Sequence, residues 1–216
     1  MAYEKILVLE SNWAEGDEDY IADSRSTTRI YSAVETLLSL REDPVFVLQR
    51  QLLASRYLVD IEQFIRLKAN SKGPNFIILS GHGEHEFVKK TNGDQAHRRI
   101  IHAIDGKINI STDLRKLNQK LKRTIFILDA CSTGQKIESF RAATGALGAI
   151  GFSNDVSWVD SACFLLAFLL KCQEDGVFQL KRARRERPKE ILESMSTTNY
   201  KSIAKSLGLE YSFNEG

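Results

Sequence analysis

The residues best placed to do chemistry in this chain are an imidazole and a thiol, each at the end of an apolar run. Ile77-Ile78-Leu79-Ser80-Gly81-His82-Gly83 stops at a histidine, and Ile125-Phe126-Ile127-Leu128-Asp129-Ala130-Cys131-Ser132-Thr133-Gly134 stops at a cysteine. An imidazole that takes the proton of a thiol leaves a thiolate near neutral pH, and a thiolate attacks carbonyl carbon. Apolar runs of this kind, with helical pattern between them, read as parallel strands. Open α/β sheets place their sites beyond the carboxyl ends of such strands. The pattern therefore predicts that His82 and Cys131 meet at one edge of the sheet. Each residue also has a plainer reading, His82 as a polar strand-end residue bonded to a carbonyl and Cys131 as a small buried hydrophobe. Order, strand-end position and flanking glycines together favour catalysis.

The elements that must position this pair follow from periodicity and turn residues. Ile6 to Leu9 reads as a first strand, and the acidic stretch Gly16 to Asp23 as the loop after it. A helix capped by Ser26 or Thr27 runs to about Arg41, with Ile30, Val34, Leu37 and Leu38 on one face. Strands follow at Val45 to Leu48 and Phe76 to Leu79, with a helix through Leu58, Ile61, Phe64 and Ile65 between them. Beyond His82, Glu84 to His97 is polar, and Ile100 to Ile104, Asp105-Gly106 and Ile108 to Ile110 read as a hairpin inserted beside the site. A helix capped by Ser111 or Thr112, the Cys131 strand, a strand from Ala146 to Phe152 and a buried helix from Asp160 to Lys171 come next. The tail ends in a short helix near Asn199 to Leu207, stopped by Gly208. This alternation predicts an α/β fold, a three-layer α/β/α sandwich around a mainly parallel sheet with a small hairpin insertion after the histidine.

Composition narrows the class further. A chain of 216 residues with 43% hydrophobic and 27% charged residues suits one medium domain with a full core. A net charge of +2 excludes a global field for nucleic acid or membrane. The one basic cluster, Lys181 to Lys189, reads as a solvated helix end cut off by Pro188. No signal peptide is expected, because Met1-Ala2-Tyr3-Glu4-Lys5 runs directly into a strand-like segment, and no membrane span, because the strongest apolar stretch, Ala162 to Leu170, falls far short of a bilayer. Three cysteines, Cys131, Cys163 and Cys172, show no disulfide or metal-site spacing and point to a reducing, cytoplasmic setting. No cofactor and no metal are expected. His82 and His85 lack further zinc ligands, and Asp17-Glu18-Asp19 reads as a solvated acidic loop rather than a calcium site.

With 49 positions from His82 to Cys131, the chain resembles the caspase-like cysteine peptidases, in which this separation is about 50. The motifs that carry the resemblance are Gly81-His82-Gly83 and Asp129-Ala130-Cys131-Ser132-Thr133-Gly134. More weakly, Gly151 to Ala162 is similar to the strand-loop-helix beside the substrate pocket of CHAT and metacaspase domains. In order of elements the likeness covers roughly residues 3 to 172, and the chain looks most like a bacterial CHAT-like protease. The resemblance implies a peptidase domain over 1–180, with 181–216 as a basic segment and helical tail packed on or linked to it. It implies Cys131 as nucleophile, His82 as base and acid, and the backbone N–H groups of Gly83 and Cys131 as oxyanion donors. It implies a protein or peptide substrate, such as a gasdermin-like pore former, and a sensor protein that switches the enzyme on in a bacterial defence or cell-death system.

Asp129, two residues before the thiol, is expected to favour Arg or Lys at the position before the scissile bond, with Asp155 and then Asp160 as further pocket carboxylates. Their plainer readings are a turn residue for Asp155 and a helix N-cap for Asp160. Such a preference would make the run Lys181 to Lys189 a self-processing site. Two rival classes stand beside the peptidase. One is a catalytically silent module of the same fold that acts by binding. The other is a nucleotide- or nucleic-acid-binding protein, which the lack of a G-x-G-x-x-G, a Walker A motif and aromatics in the basic run disfavours.

Overall fold

The computed structural model describes residues 3–11, 28–40, 44–67, 73–89, 95–179 and 187–214. The acidic loop of Gly16 to Asp23, the Ser26 and Thr27 caps and residues 181–186 of the basic run lie outside the described residues.

A six-stranded sheet in the order β2-β1-β3-β7-β8-β9 forms the middle of the molecule. Its strands are β1 (Tyr3–Glu10), β2 (Val45–Gln51), β3 (Asn75–Ser80), β7 (Thr124–Asp129), β8 (Gly148–Phe152) and β9 (Leu209–Phe213). The first five are parallel, and β9 runs antiparallel to β8. All six residues of β3 and all six of β7 are buried, as continuous apolar runs in a covered parallel sheet must be. Alternate side chains feed two cores. Ile6, Val8, Phe76, Ile78, Ile125 and Ile127 face α1 (Thr28–Ser39), α5 (Trp158–Glu174), α6 (Arg187–Thr197) and α7 (Lys201–Leu207). Leu7, Leu9, Ile77, Leu79, Phe126 and Leu128 face α2 (Tyr57–Leu67), α4 (Ile137–Thr144) and the turns of α3 (Ile110–Asp113) and the 3₁₀ segment Leu114–Lys120. Helices on both faces of a mainly parallel sheet agree with the sequence pattern.

The region after His82 is larger than a hairpin. Strands β4 (Gly83–Lys89), β5 (Gln95–Ala103) and β6 (Gly106–Asn109) form a separate antiparallel sheet. The Asp105-Gly106 turn falls where expected. Within the polar stretch, Glu84 to Lys89 and Gln95 to His97 belong to strands, because one face of this small sheet meets solvent, where Phe87 is 59% exposed.

Several helix ends differ from expectation. Ser111 caps nothing: α3 is one turn with no side-chain cap, and the Ser111 hydroxyl instead accepts hydrogen bonds from Arg99. Helix α5 starts at Trp158. Its cap is Ser157, whose side chain accepts from the backbone N–H of Asp160, so Asp160 is a first-turn residue and not the cap. Pro188 does not cut a helix off. It lies in the first turn of α6, where its missing N–H would have no intrahelical partner. Arg187 is not simply solvated, since it pairs with Asp175 at 3.0 Å and Glu190 at 2.6 Å. Gly208 does end α7, at φ 62°. The tail beyond it then becomes the edge strand β9, so residues 187–213 complete the sheet besides adding helices.

Candidate active site

The site region begins with strand register. β3 and β7 are neighbours, and their last residues, Ser80 and Asp129, are opposite each other. The Gly81 N–H continues the pairing past the strand ends by donating to Asp129 O at 3.2 Å. His82 and Cys131 stand two residues beyond these matched ends, at the carboxyl edge of the sheet. Gly83 lies against the backbone of the Cys131 segment. A β-carbon built there would lie 2.5 Å from Cys131 O, 2.9 Å from Cys131 N and 2.7 Å from Ala130 Cβ, so only glycine fits. His102 N–H donates to His82 O at 2.9 Å, which makes Gly83 and Ile101 a non-hydrogen-bonded pair of the antiparallel ladder. The Gly83 N–H therefore points away from β5.

Cys131 is half-buried, and its Sγ accepts a hydrogen bond from the Val156 N–H at 3.2 Å. Burial pushes the thiol above its ordinary range. The Val156 N–H opposes this, and the Asp155 and Asp129 carboxylates add to it. The turn after the thiol is pinned on the β8 side by Ser132 N–H to Asn154 O (3.1 Å) and Gly134 N–H to Phe152 O (2.8 Å). Within it, Ser132 (φ 58°) and Lys136 (φ 54°) take left-handed backbone conformations, strained for residues other than glycine.

A residue that motif reading passed over holds the other side of this turn. Arg99 of β5 is 1% exposed. Its Nε donates to Thr133 O (2.9 Å), its Nη2 to Lys136 O (2.5 Å) and to Gln135 O, and its Nη1 to Ser111 Oγ (3.2 Å), while the guanidinium lies over the Phe140 ring. Burial lowers its pKa to about 10, which leaves it charged at neutral pH.

His82 itself is half-buried. Its ring stands edge-on to that of His102, with centroids 6.5 Å apart, and His102 Nε2 is 2.5 Å from Glu84 Oε1. His85 packs edge-on against Phe87. The side chain of His97 lies outside the described residues.

The three expected pocket carboxylates separate. Asp129 is fully buried and turns into the α1/α5 layer, where the Tyr31 and Ser80 hydroxyls donate to Oδ2 at 3.2 and 3.1 Å. Burial pushes its carboxyl up to about 6 against the pull of the Ser161, Ser80 and Tyr31 hydroxyls. Although Ser161 lies close enough to favour the charged form, Oδ1 has no hydrogen-bond partner of normal geometry among the described residues. Asp155 is exposed, and its charge reaches the thiol. Asp160 is partly buried in the first turn of α5.

A cavity of about 400 Å³ lined by Arg66, Lys120, Lys122, Asn75 and Thr124 lies at the opposite, amino edge of the sheet and is not part of this site. Among the described residues no three His, Cys, Asp or Glu side chains gather as metal ligands would, and no helix is long and apolar enough to cross a membrane.

The sequence matches no protein-family model and no curated protein. Among solved structures, the chain is similar to Raptor of Chaetomium thermophilum, with 12% identity over 87% of this chain and a TM-score of 0.41. It spans 20% of that much longer protein. It is also similar to a structural-genomics protein of Geobacter sulfurreducens, with 11% identity, a TM-score of 0.44, and coverage of 98% of this chain and 93% of that one. Likeness at this level assigns no activity.

Proposed function

We propose that the protein is a cysteine endopeptidase of the caspase-like, CHAT-type architecture, with Cys131 as nucleophile and His82 as its proton partner. The observation that carries this reading is the contact of Gly83 with the Cys131 peptide, because it ties the residue after the imidazole to the backbone of the thiol. The strained turn after Cys131 adds support, since such strain concentrates at functional sites.

In the reaction, the Cys131 thiol gives its proton to His82 and the sulfur adds to the scissile carbonyl carbon. The Gly83 and Cys131 N–H groups receive the negative oxygen, and an interaction of this kind is worth about 3 kcal/mol. His82 returns the proton to the leaving amine as the C–N bond breaks. Water then splits the thioester, releasing a carboxylic acid and restoring the thiol. The exposed Asp155 carboxylate, whose charge reaches the thiol, suits a cationic side chain arriving from the substrate, whereas Asp129 is fully buried and held by the Tyr31 and Ser80 hydroxyls. The substrate is accordingly a partner protein cut after Arg or Lys, in the kind of defence setting the resemblance implies.

Labelling with peptide chloromethyl ketones that end in Arg or Asp, followed by peptide mapping, tests this. The proposal expects the Arg reagent on Cys131 and no modification in His82→Ala, whereas equal labelling by the Asp reagent contradicts the specificity. One observation favours a second reading, a silent binding module: burial and two carboxylates hold the thiol above its ordinary pKa. Alkylation of Cys131 no faster than that of an ordinary exposed thiol would support that module.

A further inference from the structure

Arg99 is a buried cation whose partners explain its position better than its packing does. Among the described residues no carboxylate pairs with it. Three of its four side-chain hydrogen-bond partners are the carbonyls of Thr133, Gln135 and Lys136, in the turn that follows Cys131. A methionine or leucine would fill the same volume over Phe140 without the desolvation cost of a charge. What the guanidinium offers in exchange is a rigid planar fork of donors that can reach several carbonyls at fixed angles, which an ammonium cannot do.

The turn it grips is the strained one. Ser132 and Lys136 both stand at positive φ, and the carbonyls held by Arg99 fall between and on them, at 133, 135 and 136. Arg99 also sits on β5, directly opposite His85 of β4, whose first residue is Gly83. The small sheet thus touches both halves of the site, through Gly83 next to His82 and through Arg99 at the Cys131 turn.

We propose that Arg99 is a positioning residue, whose hydrogen bonds to the carbonyls of Thr133, Gln135 and Lys136 keep the turn in its strained form and so fix Cys131 relative to His82. This rests on the peptidase reading above. Loss of the fork lets the turn relax toward ordinary φ values, and the thiol moves off line while the fold persists. A misplacement of about 1 Å can cost on the order of a hundredfold in rate.

The test is the iodoacetamide alkylation rate of Cys131 in the full chain from pH 6 to 9, read by mass spectrometry against the exposed Cys163 of the same molecule. In the wild type, Cys131 is expected to react faster than Cys163 near neutral pH. Arg99→Lys is expected to slow Cys131 by about tenfold or more and shift its pH profile upward, with Cys163 unchanged. Ser111→Ala, which removes one acceptor and keeps the guanidinium, is expected to slow it by about threefold and carries the test should Arg99→Lys fail to fold. The distinguishing variant is Arg99→Lys with Lys136→Gly: glycine takes positive φ without strain, so about fivefold of the lost rate should return. A folded Arg99→Lys protein with the wild-type rate and profile overturns the clamp, as does a glycine variant that restores nothing. A wild-type Cys131 no faster than Cys163 instead overturns the peptidase reading, and the clamp falls with it.

Discussion

The α-carbon of Gly83 lies against the Cys131 peptide so closely that an added β-carbon would meet its carbonyl oxygen at 2.5 Å. This backbone-on-backbone contact joins two segments far apart in sequence, and it brings the Gly83 N–H, which does not pair with β5, beside the Cys131 peptide. Gly83→Ala is therefore expected to push the segments apart. Stability should fall by about 1 to 3 kcal/mol, as overpacking typically costs, and peptidase activity should fall further than folding loss accounts for. Thermal melts beside initial rates on folded protein will check this.

Asp129 gives a pH dependence of definite sign. Its folded pKa of about 6 is above that of an unfolded aspartate, near 3.9, so the fold favours the protonated form. Below about pH 4 both states are protonated and no penalty applies. As pH rises from about 4 to 6 the unfolded chain ionises first and stability falls, by about 3 kcal/mol in full above pH 6. Asp129→Asn cannot ionise and should lack this fall. Urea midpoints at pH 4.5 and 8 are expected to show the variant gaining on the wild type as pH rises.

Strand β9 makes the tail part of the sheet. Phe213, 8% exposed, packs over Gly148, where a β-carbon would lie 2.4 Å from its ring. Ending the chain at Gly208 strips β8 of its edge partner and exposes apolar surface. Broad, non-cooperative melting and association on size-exclusion chromatography are expected. An unchanged melt would mean that the tail is an appendage.

At the amino end of α5, the Ser157 hydroxyl accepts from the Asp160 N–H. Ser157→Ala should cost about 1 kcal/mol of stability. Because the Val156 N–H that bonds Cys131 Sγ is the next residue back, the variant should also change the pH at which the thiol alkylates.

What the sequence revealed, and what it hid, follows from where the signals lie. β1, β3, β7 and β8 were legible because a parallel strand covered on both faces is an unbroken apolar run, and the faces of α1 and α2 because their apolar residues recur at helical spacing. β4 was hidden by its solvent-facing side, which gives it the composition of a loop. β9 was hidden because the strand is short, and its partner β8 is fixed only in three dimensions. The burial of Asp129 is legible only through its alternation with Ile125 and Ile127, which turns it into the α1/α5 layer and away from the pocket its position before the thiol suggests. Arg99 had no legible signal at all: in Arg98-Arg99 the two residues look alike, and its partners are backbone carbonyls, which leave no mark in side-chain sequence. The edge at which His82 and Cys131 stand was legible, and the grip on the turn between Cys131 and α4 was not.

The peptidase assignment is tested most directly by comparing wild type with Cys131→Ala on fluorogenic peptides ending in Arg, Lys or Asp, with and without calcium. Cleavage after Arg and Lys by the wild type alone, lost in Cys131→Ala at an unchanged melting temperature, is the predicted result. Equal turnover by both proteins, or cleavage confined to the Asp peptide, would contradict it.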